Sequence, residues 1–139
     1  MKNYKYVGRR VGAYNHIVMV VDPDTNKWSA LDPSVSLKVR EHSPSGFSWG
    51  YGGSGPAQLA LALLLHAVAE CPVAERPSSV PHEALAEHYY QMFKTDHVAH
   101  MQDNWTLMQA DIVGWLRQVI AQAETKRKSY SYEPQFTVE

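Results

Sequence analysis

His97 and His100 are three residues apart and are flanked by Asp96 and Asp103. On a helix that spacing sets two imidazoles on one face with a carboxylate nearby as an oxygen donor, the beginning of a metal centre. A third firm ligand is missing, because there is no His-Glu-x-x-His and the only cysteine is Cys71. These histidines, with His82 and His88, are therefore expected at the surface or half-buried, and neither a metal nor a cofactor is expected. Nucleophilic chemistry fares no better. Cys71 stands beside Pro72 with no helix N-terminus to lower its pKa. The run Gly52-Gly53-Ser54-Gly55-Pro56 also lacks the Gly-x-Ser-x-Gly spacing of a nucleophile elbow. No catalytic residue is assigned, and binding is expected ahead of enzymatic activity.

Two residue sets remain that are suited to binding. Gly52, Gly53, Ser54 and Gly55 lead into an apolar helix, where free backbone N–H groups at the positive helix end can cradle an anion with Arg9 or Arg10 as counter-charge. No Gly-Lys-Ser/Thr closes the segment, so it is not a nucleotide-binding P-loop. The competing reading is structural: the glycines permit positive φ and close packing of Trp49 and Tyr51, and Ser54 is a helix cap. At the other end of the chain, Lys126, Arg127, Lys128, Tyr130, Tyr132 and Phe136 combine cations with aromatic rings. That composition suits a protein-binding surface and, with weaker support, a nucleic-acid-binding one.

The elements that must position these sets follow from patterning, and they point to one α+β domain spanning residues 1–139. Residues 1–40 read as strands, 41–55 as a Gly-rich loop, 56–123 as helices and 124–139 as a tail. A weak period of two from Tyr4 to Val11 gives the first strand. Ile17 to Val21 gives a second, stopped by the turn formers Asp22-Pro23-Asp24-Thr25-Asn26. Trp28 to Leu31 gives a third, paired antiparallel with the second. Val35, Leu37 and Val39 alternate with polar residues as a fourth, edge strand would. Pro56 then opens a helix running to Ala69, apolar almost all round and so destined for the core. Pro81 opens a second helix carrying Leu85, Tyr89, Met92 and Phe93 on one side. Thr106-Leu107-Met108-Gln109 reads as the capping box of a third, with Ile112, Trp115, Leu116, Val119 and Ile120 on its stripe. The fold class is thus an N-terminal antiparallel sheet of three or four strands on about three helices, with all four tryptophans mostly in the core.

The stretch from Gly46 to Leu64, Gly-Phe-Ser-Trp-Gly-Tyr-Gly-Gly-Ser-Gly-Pro-Ala-Gln-Leu-Ala-Leu-Ala-Leu-Leu, resembles the signature of an uncharacterised bacterial domain family that also occurs on plasmids and phages. Supporting matches are Tyr6-Val7-Gly8-Arg9-Arg10, Tyr90-Gln91-Met92-Phe93-Lys94, Trp105-x-Leu107 and Ile112-x-x-Trp115-Leu116. The resemblance covers most of the chain but brings no activity with it. Its mobile-element distribution implies an accessory or anti-defence role. A longer segment between the first two helices and a longer tail set this chain apart.

Composition narrows the classes further. Hydrophobic residues at 45% and charged residues at 19% suit a globular core rather than a disordered chain. A formal charge of −1 supplies no bulk field for nucleic acid or a membrane surface. A lone cysteine and the lack of a signal-like apolar start point to a reducing, cytoplasmic setting, and the longest apolar stretch, broken by His66, is too short to span a bilayer. The leading expectation is a protein-binding accessory module, of the kind that would inhibit a host defence complex such as a CRISPR effector by docking on it. The alternative is an anion- or nucleotide-binding protein using the Gly-rich segment.

Overall fold

A computed structural model of the chain describes residues 1–131. Tyr132 and Phe136 lie outside the described residues. The fold is α+β, with an antiparallel sheet ordered β3-β2-β1-β4 and, among the described residues, four α-helices. β1 (Lys5–Val11) pairs along its length with β2 (Asn15–Val21), and β2 pairs with the short β3 (Trp28–Ala30). The β2–β3 turn is closed by its own residues. Asp22 Oδ1 accepts from Asp24 N at 2.9 Å, and Asn26, at φ 57°, donates its N–H to Asp22 O at 2.8 Å. Asparagine tolerates that left-handed geometry better than most residues.

The expected fourth strand at Val35 to Val39 is instead a helix, α1 (Pro33–Val39). Asp32 and Pro33, which follow the expected third strand directly, are its N-cap and first residue: Asp32 Oδ1 accepts from Ser34 N at 2.9 Å. The buried residue of α1 is Ser36, while Val35 is exposed, so the apolar alternation does not mark the inward face.

α2 (Ser54–Ala69) is the most buried helix, with Leu61 and Leu64 both fully buried. Gly53, not Ser54, is its N-cap residue and makes no side-chain cap. α3 (His82–Asp96) packs Leu85, Tyr89, Tyr90 and Phe93 inward, whereas Met92, expected on that stripe, is exposed.

The true fourth strand is β4 (Asn104–Met108), antiparallel to β1 with Tyr6 opposite Leu107 and Gly8 opposite Trp105. This overturns the capping box at Thr106. The Gln109 side chain bonds Tyr4 N at 3.1 Å and Ala67 O at 2.8 Å, joining sheet to core instead of capping a helix. α4 begins there and runs as Gln109–Ser131, past the point where the apolar stripe ends. None of the helices among the described residues is long and apolar enough to cross a membrane.

Candidate functional site

The two faces of the sheet have different fates. Side chains alternate along a strand, so Tyr6 and Gly8 of β1, Val18 and Val20 of β2, and Trp105 and Leu107 of β4 share the face toward α2. Lys5, Val7 and Arg9 therefore share the other face with Ile17, Met19 and Val21, Trp28, and Met108. Lys5 confirms the assignment, since its Nζ sits 5.6 Å from the centre of the Trp28 ring. Val7 and Val21 are buried but stand outside the core cluster. Ile17, Trp28 and Val11 are 44%, 48% and 52% exposed, so the outer face is open and apolar. Trp28 thereby departs from the expectation that the tryptophans are core residues. Sequence reading missed this face because half of it belongs to strands whose register was still unknown.

The Gly-rich segment is organised by packing. Gly50, at φ +87°, takes a conformation that side chains disfavour and donates its N–H to Val98 O at 3.0 Å. Gly55 is buried under Ser48: a Cβ built there would lie 1.9 Å from Ser48 Oγ and 3.2 Å from Ser48 N. Ser48 Oγ in turn bonds Tyr51 Oη at 2.8 Å, and the Tyr51 ring rests on Gly53. In the first turn of α2, Pro56 has no N–H and Ala57 N donates to Gly53 O at 3.0 Å. Gly52 and Ser54 are exposed. Trp49 is fully buried, edge-on to Trp105 at 5.6 Å between centroids. Neither indole N–H has a hydrogen-bond acceptor among the described residues.

The two arginines go to opposite faces. Arg9 Nη1 donates to Gly8 O at 2.7 Å and Trp105 O at 3.2 Å on the outer side. Arg10 pairs with Asp103 at 3.0 Å and bonds His16. Arg10 shares a polar cavity of about 340 Å³ with Gly50, His100 and Asp103, but not with Gly52 to Gly55. Among the described residues, no group of three His, Cys, Asp or Glu side chains could hold a metal ion. His97 caps the end of α3 and stacks against Phe93, while His100 ends a short 3-10 turn. Cys71 is buried, and burial raises its thiol pKa. Lys126, Arg127 and Lys128 lie on the exposed end of α4, as does the backbone of Tyr130. Arg127 lines an open groove of about 430 Å³ with Val80, His88 and Ile120.

His66 was legible in the sequence only as an interruption of the apolar run. Its Nδ1 lies 2.7 Å from the hydroxyl of fully buried Tyr6. Desolvation holds the Tyr6 phenol protonated well above its ordinary pKa, and because Nδ1 is the hydrogen-bond partner of this buried hydroxyl among the described residues, the phenolic proton is satisfied when the hydroxyl donates and Nδ1 accepts. Burial also pushes the imidazole pKa below its ordinary value, against the smaller opposing pull of the Glu70 charge. The unfolded chain therefore takes up this proton first. Stability associated with His66 is intact above the unfolded pKa of 6.5, falls as pH drops below it, and levels off below the folded value. The carboxylates of Asp22 and Asp32, held low by hydrogen bonds from Lys2 and Ser34, withdraw their contributions only further down, as pH falls below the ordinary carboxylate value of 3.8. Melting temperature should thus decline between pH 7 and 5.5, and the His66→Gln chain should decline less. Parallel profiles for the two chains, measured by calorimetry at fixed ionic strength, would sink this account.

A family model, that of a family of unknown function (DUF6166), matches residues 6–118. No curated protein and no solved structure matches the chain.

Proposed function

The chain belongs to this family of unknown function, and from that premise we propose that it is a protein-binding module that docks a partner on the open face of its sheet. The observation that carries the reading is that face: Ile17, Trp28 and Val11 stand half exposed around the buried Val7 and Val21, with Lys5 and Arg9 as the only charged residues among its outward strand positions. Large exposed apolar patches mark interaction sites, and Trp28 is the residue type that most often anchors them. Charge selects the occupant. In a symmetric dimer the same patch meets itself, so two cations would face a surface with no carboxylate. A partner presenting apolar anchors ringed by Asp or Glu complements it. Single-stranded nucleic acid fits less well, because sheet faces that read it stack bases on several rings, and here Trp28 alone is available and already lies under Lys5.

The mobile-element distribution that the resemblance implies makes a host defence complex such as a CRISPR effector the first partner to try. The test is affinity capture followed by binding measurements with the purified partner. Trp28→Ala should weaken binding about thirtyfold, as expected for a central anchor. Ile17→Lys should abolish it, while Val73→Lys, in the 3-10 turn Val73–Glu75, should change nothing. Hydrogen exchange should show new protection in β1 and β2. A chain ending at Lys128 should still bind. Loss on that truncation with Trp28→Ala binding intact would move the docking surface to the tail. Self-association through this face, or a captured nucleic acid with a steep salt dependence, would overturn the proposal.

A further inference from the structure

On the α2 side of the sheet, α2 leaves a gap where it runs beside α1 and the β2–β3 edge. Ala62, Leu65, His66 and Ala69 recur at three- and four-residue intervals and so form one stripe of α2, which the C-cap residue Glu70 continues. Together with Val20, Leu31 and Val35 they enclose a cavity of about 240 Å³. The alanines are the reason it exists, since larger side chains at positions 62 and 69 would fill it.

Its walls are of two kinds. Val20, Leu31, Ala62 and Leu65 are buried apolar side chains and form the deep surface. The polar lining consists of Ser29, Asp32, Ser36, His66, Glu70 and His82, so two carboxylates border the cavity and neither lysine nor arginine does. Each carboxylate is already fixed by one bond: Asp32 Oδ1 accepts from Ser34 N, and Glu70 Oε1 accepts from Tyr4 Oη at 3.1 Å. Because Tyr6 donates to His66 Nδ1, the neutral ring carries its proton on Nε2, which leaves a donor on a residue of the lining.

We infer that this cavity is a binding site for a small organic amine, its apolar body against Leu31, Ala62 and Leu65 and its ammonium group at Glu70. An oxygen on such a ligand would meet His66 Nε2–H. A volume below the roughly 300–1,000 Å³ of sites for drug-sized molecules limits the ligand to a single ring or a short branched chain. The inference is independent of the docking face, with which the cavity lining shares only Ala30, the partner of Met19.

Three probes of one shape and different charge test it: 2-phenylethylamine, 2-phenylethanol and 3-phenylpropionate, each titrated into the full chain at pH 7 with methyl resonances followed by NMR. The amine should shift the methyls of Leu31, Leu65 and Ala62 saturably. The alcohol should bind about tenfold more weakly, the size of one charge-assisted contact, and the carboxylate should not bind. Glu70→Gln, at an exposed position, should bring the amine down to the affinity of the alcohol. Ala69→Leu, also exposed, should block all three while leaving the remaining spectrum unchanged. Equal affinities for the three probes, shifts confined to other residues, no saturation, or an unaltered Glu70→Gln chain would each overturn the assignment.

Discussion

A Gly8→Ala chain should melt about 10 °C below the parent, the consequence of about 3 kcal/mol of overpacking in a domain of this size. The added methyl has nowhere to go. A Cβ at Gly8 would lie 2.1 Å from Trp105 Cε2 and 2.2 Å from its Nε1, so the indole must leave its place. Trp105 is itself nearly buried and stands edge-on to the fully buried Trp49, against which His16 packs at 4.7 Å between centroids. Displacing one ring therefore disturbs the junction of β1, β2, β4 and the Gly-rich segment together. A double-mutant cycle separates this cause from a general weakening of β1. Trp105→Leu alone leaves a void, but combined with Gly8→Ala it should cost less than the sum of the two single changes. Additive losses, or a Gly8→Ala chain within about 2 °C of the parent, would show that the indole can move aside freely.

The Gly8–Trp105 pair also shows why part of the fold could be read from the residues and part could not. α2 declared itself through a local apolar run behind Pro56, and the β2–β3 hairpin through a turn whose hydrogen bonds close within six residues, Asp22 to Lys27. β4 depends on β1, and local signals pointed elsewhere, because Thr106 to Gln109 satisfies the pattern of a capping box. What decided the matter was a pairing between Tyr4 and Gln109, 105 residues apart. The open sheet face was hidden for the same reason. Val7, Ile17, Trp28 and Met108 become neighbours only when the register of four strands is known. The cavity lining followed a similar rule: His66 was visible as a polar break, but its partner Tyr6 is 60 residues away.

α1 is the remaining departure, and the residue that explains it yields the other large effect: Gln58→Leu should destabilise the chain by about 3 kcal/mol, even though leucine fits the volume and the site is fully buried. The Gln58 amide uses both its ends. Oε1 accepts from His42 N at 2.7 Å and Ser43 N at 3.1 Å, while Nε2 donates to Ser36 Oγ at 2.9 Å and Arg40 O at 3.0 Å. It thus ties α1 and the start of the Gly-rich segment to the central helix, and it accounts for a serine rather than a valine on the inward side of α1. Leucine would leave two backbone donors and a carbonyl without partners, a loss of about 1–3 kcal/mol for each fully buried group, offset in part by apolar burial and by water reaching the partly buried amides. Gln58→Glu distinguishes this account from simple sensitivity of the core. It keeps the acceptors for His42 and Ser43 but loses the donors to Ser36 and Arg40. Amide exchange at His42 and Ser43 should therefore remain slow in the glutamate chain and become fast in the leucine chain. If leucine preserves slow exchange at both amides, or costs less than about 1 kcal/mol, the segment is held by other contacts and Gln58 is only a filler of the core.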